Sequence, residues 1–171
     1  MLIGEKTYGQ QPQATPGMTI GGGGNRNAMD LPMDADGRDW SNGLCDCCNE
    51  PGTCMLAWYC PCIVYAKNKH RYEHLNLNGT PDPEKGGDCC SGDCMLHAVI
   101  TFCGAGWILQ FMQRGNVRSR YNIKGGGCGD CCAAFWCSPC ESTQEYQELK
   151  LEERSLGGHH DAMRGQWPDN Y

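Results

Sequence analysis

The chain has 171 residues, 15 of them cysteine, with a formal net charge of -6 and an apolar fraction of 40% even when every cysteine is counted as apolar. That length allows one domain with tails, and the acidic balance supplies no general basic face for nucleic acid, so no nucleic-acid partner is expected. With only three phenylalanines, a core of ordinary size is hard to build, and a metal ion or a membrane is expected to help hold the fold.

The N-terminus, Met1-Leu-Ile-Gly-Glu-Lys, lacks the basic region and the apolar run of a secretory signal. The chain is therefore expected in the cytosol, where thiols stay reduced and many cysteines point to metal binding or catalysis rather than to disulfides. Residues 1–38 hold Gly21 to Gly24, Pro12, Pro16, Pro32 and glutamines without apolar periodicity, and read as a disordered leader. Residues 40–154 are the ordered candidate, a small cysteine-rich domain, mainly α with irregular loops, either metal-stabilised or membrane-associated.

Inside it, Cys54 to Ala66 is apolar and broken by Pro61, shorter than the roughly 20 residues a membrane-spanning helix needs. Lys67 to His74 continues as a polar helix ending near Asn78-Gly79, a turn signal, and Thr80 to Gly87 is a loop. The second apolar run, Cys94 to Met112, is long enough to span a bilayer. Its His97, Thr101, Gln110, Gly104 and Gly106 lower the hydropathy, so a buried or interfacial helix stays equally open. Both runs are preceded by acidic and followed by basic residues, the second by Arg114, Arg118, Arg120 and Lys124. If both spanned, the positive-inside rule would make conflicting demands on their connector. At most one is expected to span, and a domain lying on a membrane through apolar faces and those four basic residues satisfies the pattern with less conflict. The competing expectation is that the Arg-x-Arg-Tyr segment is internal and pairs with Asp130 or Glu141. Ser142 to Glu145 fits a capping box, opening a mostly exposed helix to Arg154. Residues 157–171, with His159-His160, read as a disordered tail.

The cysteines form two islands. The front island contains Cys45, Cys47, Cys54, Cys60 and Cys62, and the back island contains Cys128, Cys131, Cys137 and Cys140. Tetrahedral zinc takes four thiolate or imidazole ligands, commonly from knuckles with two-to-four-residue spacing, and Cys128-x2-Cys131 and Cys137-x2-Cys140 have that spacing. These nine cysteines are the candidate ligands of a structural zinc ion. Cadmium or another soft divalent metal is equally suited to thiolates. Redox cycling of a Cys-x-x-Cys pair is the rival chemistry, although alternating βαβ units are lacking. The adjacent pairs Cys47-Cys48, Cys89-Cys90 and Cys131-Cys132 are also candidate acylation sites.

The ordered set Trp40-x2-Gly43-Leu-Cys45-x-Cys47, Cys54-x5-Cys60-Pro-Cys62, Cys89-Cys90, Arg118-x-Arg120-Tyr121-x-Ile123-x-Gly125, Cys128 and Cys137-x2-Cys140-x3-Gln144-Glu145 resembles the placenta-specific-eight cysteine-rich family. That family includes onzin, cornifelin and the plant cadmium-resistance and fruit-weight-regulator-like proteins. The resemblance runs from about Trp40 to Arg154. It implies a small cysteine-rich domain, often membrane-associated, linked to heavy-metal movement and to control of cell number, and not an enzyme.

The expected function is therefore a non-enzymatic, zinc-binding protein on the cytosolic face of a membrane, acting in metal tolerance or cell-number control, with a homo-oligomer compatible. The alternatives are an oligomeric transport component for divalent metals, built on Cys94 to Met112, and a thiol oxidoreductase.

Overall fold

The computed structural model describes residues 24–164, with side chains to residue 157. Six helices follow in order: α1 (Pro51–Tyr59), α2 (Pro61–Asn78), α3 (Gly92–Phe102), α4 (Gly106–Tyr121), α5 (Gly127–Trp136) and α6 (Ser138–Arg164), with a short 3-10 turn, Asp46–Asn49, ahead of α1. Among the described residues there is no strand beyond two isolated bridges, one of which pairs Arg38 with Ile123. The domain is mainly helical, as its sequence predicts.

Local chemistry sets the breaks. Pro61 occupies the first turn of α2, where its missing N–H costs nothing and its ring ends the preceding helix. Gly79 closes α2 at φ +62 with its N–H on the Leu75 carbonyl, the left-handed cap glycine adopts without strain. The run Cys94 to Met112 does not form one helix. Gly104 sits at φ +79, and a Cβ on Gly106 would lie 2.1 Å from Thr101 Oγ1, so the chain reverses between α3 and α4. No described helix is long and apolar enough to cross a membrane.

Helix α6 packs against α1, α2, α4, α5 and the 3-10 turn, making it the centre of the domain. The expectation of a mostly exposed helix opened by a capping box at Ser142 is corrected here. The helix starts at Ser138, with Pro139 in the donor-free first turn, and Glu141, Ser142, Thr143, Gln144, Glu145, Gln147, Glu148 and Glu152 are buried. The apolar core beside it is small: Leu75, Val117, Tyr121, Ile123 and Leu149, with Trp40, Tyr72 and Leu156 against it.

The boundaries of the flanks also shift. Residues 24–38 of the expected leader lie on the domain. The Gly24 N–H donates to Glu152 Oε1 at 3.1 Å, and the Arg38 side chain is buried with its Nη2 3.0 Å from Glu148 Oε2. The expected tail begins inside α6, which runs on to Arg164. The rest of both flanks, residues 1–23 and 165–171, and the side chains of His159 and His160 lie outside the described residues.

Candidate functional site

The nine candidate ligands separate into three groups. In the first, the 3-10 turn and the start of α6 bring the two islands together, with Cys140 Sγ 3.6 Å from Cys47 Sγ. Burial pushes the Cys47 thiol up, but hydrogen bonds with the Cys140, Cys54 and Cys48 thiols outweigh it and hold the group below its ordinary value. Burial, then the neighbouring Cys47, pushes Cys54 up and Cys140 up to about 12. Of these three thiols, Cys47 is the one favoured toward the thiolate. Cys137 joins α5 to α6 beside Cys140, and Cys45 is exposed just ahead of the turn.

The second group joins Cys60 and Cys62 to two cysteines that spacing alone did not single out, Cys90 and Cys94. Burial pushes the Cys94 thiol up to about 11, followed by its hydrogen bond to Cys62 and its proximity to Cys90 and Cys60. The Ser91 cap of α3, whose Oγ accepts from the Cys94 N–H at 3.3 Å, positions that thiol. The third group, Cys128, Cys131 and Cys132, lies along α5.

Whether zinc fits can be tested on geometry. A tetrahedral site with Zn–S near 2.3 Å separates neighbouring sulfurs by about 3.8 Å, and the Cys47–Cys140 distance matches one such edge, with the Cys54 thiol a near neighbour of Cys47. The donors fit in kind and along one edge. Among the described residues, no group of three or more Cys, His, Asp or Glu side chains is arranged to enclose an ion.

Of the four basic residues expected at lipid headgroups, Arg114, Arg118 and Arg120 are tied instead to carboxylates of the fold. Arg114 is buried with its Nε 3.1 Å from Asp130 Oδ1, and Arg118 Nε lies 2.8 Å from Asp130 Oδ2 and donates through Nη1 to the Gly125 carbonyl at 2.9 Å. Arg120 binds both oxygens of Glu152, at 3.0 and 2.7 Å, and the Tyr121 hydroxyl donates to the same carboxylate at 2.6 Å. Planar guanidinium forks suit such bidentate pairing, and the carboxylates of α5 and α6 are within their reach. Lys124 alone is well exposed, paired with Asp39 at 3.0 Å.

Beyond the ion pairs, α6 carries two carboxyls that face each other one turn apart. Burial is the largest influence on both. Glu141 is pushed up to about 7, and Glu145 is raised well above the ordinary range by burial and by Glu141. Arg114 acts on both in the opposite sense, and Gln113 Nε2 donates to Glu145 at 3.0 Å. Two carboxyls buried this close do not readily ionise together.

The outer surface around the thiols has a distinct composition. In residues 51–66, 94–113 and 125–140, the one Asp, Glu, Lys or Arg is Asp130, and it is buried between Arg114 and Arg118. Those stretches expose Met55, Trp58, Tyr59, Met95, Leu96, Val99, Phe102, Ile108, Met112, Phe135 and Trp136, with Phe102 95% and Trp136 78% exposed. They adjoin one another. A cavity of about 290 Å³ lies between Tyr59, Pro61 and Phe102, and another of about 240 Å³ lies between Pro61, Trp107 and Phe135. Trp107 meets Phe135 edge-on, and Phe135 meets Trp136 in the same way.

Comparison with known proteins places this architecture. Residues 40–148 match the PLAC8 family. The chain is 33% identical over 112 residues to Cell number regulator 11 of Zea mays, covering 66% of this chain and 63% of that protein. It is 34% identical over 113 residues to Protein PLANT CADMIUM RESISTANCE 2 of Arabidopsis thaliana, covering 66% of this chain and 67% of that protein. No solved structure matches. The matched segment contains the front island, the whole uncharged surface and the start of α6, and the chain belongs to the PLAC8 family.

Proposed function

We propose that this protein binds soft divalent metal ions, zinc and its mimic cadmium, through thiolates while resting on the cytosolic face of a membrane, and that it acts in metal tolerance without catalysing a reaction. Relatives named for cadmium resistance and for cell-number regulation support a role in metal tolerance or in cell-number control. The observation that carries the metal reading is the 3.6 Å approach of Cys47 and Cys140, which joins two islands 93 residues apart. Cys47, Cys54 and Cys140 would hold the ion, with Cys48 or Cys137 beside them. The ion would supply a cross-link between the 3-10 turn, α1 and α6, adding folding free energy where the apolar core is small. The uncharged aromatic surface supports the membrane reading. Exposed apolar patches of this kind mark contacts with another apolar phase, and tryptophan and tyrosine favour the membrane interface.

The test is metal content and thermal stability of protein purified from a reducing cytosol. Wild-type protein and Cys132→Ser are expected to carry zinc and to melt lower after chelation, and Cys140→Ser is expected to lose both the zinc and the response to chelator. Wild-type protein free of metal, or equal loss in the two variants, would sink the reading. Alkaline carbonate is expected to strip unacylated protein from vesicles, since it would be held there by interfacial contact alone.

A further inference from the structure

On α5, Asp130, Ala133 and Ala134 face inward, while Cys128, Gly129, Cys132, Phe135 and Trp136 face out. Cys128, Cys132 and Trp136 recur every fourth residue, so two exposed thiols and an indole form one stripe along the helix. Nothing obstructs the stripe: a Cβ on Gly126 or Gly129 would meet no atom within 4 Å. No charged side chain is exposed from Gly125 to Cys140. The thiols that act on Cys132 are its α5 neighbours Cys128 and Cys131, whereas those that act on Cys140 are Cys47, Cys137 and Cys54.

We propose that Cys128 and Cys132 are S-acylation sites, taking long-chain acyl groups from acyl-coenzyme A. The proposal rests on the membrane reading above, since it requires the α5 stripe to lie at a lipid surface. In the reaction the cysteine sulfur attacks the acyl carbonyl carbon. A new C–S thioester bond forms, the C–S bond to coenzyme A breaks, and the cysteine thiol proton ends on the released coenzyme A thiol. One thioester replaces another, and no oxidant or reductant is needed. An acyl chain on either sulfur would enter the apolar phase alongside Trp136. Interfacial contact by a protein surface is reversible, and stable anchoring takes a second signal such as an acyl chain. The α5 thiols would supply it.

The experiment uses the full chain expressed in a eukaryotic cell, with thioester-linked acyl groups detected by hydroxylamine-dependent exchange and located by mass spectrometry of peptides. Cys128→Ser/Cys132→Ser is expected to reduce the label to background, and Cys89→Ser/Cys90→Ser, which removes an exposed pair outside α5, to leave it unchanged. Unlabelled wild-type protein, or label that survives in the first variant and disappears in the second, overturns the proposal. Unacylated protein from bacteria, mixed with neutral phosphatidylcholine vesicles, tests the underlying reading separately. Binding there without any acyl label in cells overturns the acylation alone, whereas label in cells without vesicle binding upholds acylation and overturns aromatic docking. A cooperative urea transition at the wild-type midpoint shows that the serine variants are folded.

Discussion

The surface formed by α1, α3 and α5 and the interior around α6 invert the usual arrangement of a small domain. The first exposes Trp58, Tyr59, Phe102 and Trp136, while the second buries Arg38, Arg114, Asp130, Glu141, Glu148 and Glu152. Lys, Arg, Asp and Glu are almost never fully buried unless paired, and here most of them are paired: Arg38 with Glu148, Arg114 and Arg118 with Asp130, Arg120 with Glu152. A chain with so few large apolar residues spends many of them outside and holds its centre together with directed ionic contacts. A buried ion pair is costly to assemble and still costlier to break by halves. The interior therefore answers to single substitutions in stability, and the exterior should answer in binding.

The largest effect expected from this contrast is inside. Glu152→Ala leaves Arg120, whose side chain is 4% exposed, without its carboxylate, and also removes the acceptor of Tyr121 and Gly24. A loss of about 3–5 kcal/mol is expected in urea unfolding, against a change within about 0.5 kcal/mol for Glu73→Ala on the surface. Matching midpoints for the two would mean that the ion pairs do not hold the centre.

On the exterior, Phe102→Asp and Trp136→Asp are expected to leave unfolding within about 0.5 kcal/mol of wild type. Each should weaken partitioning into neutral vesicles about tenfold, from loss of roughly 1.5 kcal/mol of apolar transfer per side chain. Flotation assays read this directly, and unchanged partitioning would move the membrane contact off this surface.

The smallest effect is in pH, because buried groups of opposite sign partly cancel. Glu141 is raised from 4.5 to about 7 by burial, so its contribution is complete below the unfolded value and is lost as pH rises through 7. His97, stacked on Tyr65 with Nε2 lacking a partner, is lowered by burial from 6.5 to about 4. Its contribution is present above 6.5 and is lost as pH falls toward 4. Glu145 is raised by burial and by Glu141 in the same sense as Glu141, so two carboxyls outweigh one histidine and wild-type stability is expected to fall as pH rises from 5 to 7. Glu141→Gln should flatten that fall, and urea midpoints at pH 5 and 7.5 would reveal it. A Glu141→Gln profile as steep as wild type would show that Glu141 does not titrate in this window.

The features legible in the sequence are those set by local backbone chemistry. Pro61 broke the first apolar run, Asn78-Gly79 ended α2, and Thr80 to Gly87 formed no helix. Other features depended on partners far along the chain. Apolar periodicity finds buried helices, so α6, buried by carboxylates that meet distant arginines, reads as a solvated helix. Arg114 and Arg120 read as a membrane-facing cluster for the same reason, since a charge beside an apolar run carries no sign of the carboxylate that will meet it. In the sequence Gly104 and Gly106 read only as lowered hydropathy, although their larger effect is conformational. Among the cysteines, short spacing picked out pairs, but the Cys47–Cys140 approach and the grouping of Cys94 with Cys62 come from helix packing.

The reach of α6 toward the N-terminal segment determines where the domain can be excised. The family match spans residues 40–148, yet Arg38 lies 3.0 Å from Glu148, Gly24 donates to Glu152, and the Asn25 N–H donates to Ser155 Oγ at 2.7 Å. A fragment cut at the matched borders would discard Arg38 and Glu152 and strand Glu148 and Arg120 as unpaired charges in the interior. It should be recovered as aggregate, whereas a fragment spanning 24–156 should fold and melt cooperatively. A soluble 40–148 fragment with the parent's urea midpoint would contradict this, and would mean that the excisable unit is marked by sequence similarity rather than by the outermost ion pairs.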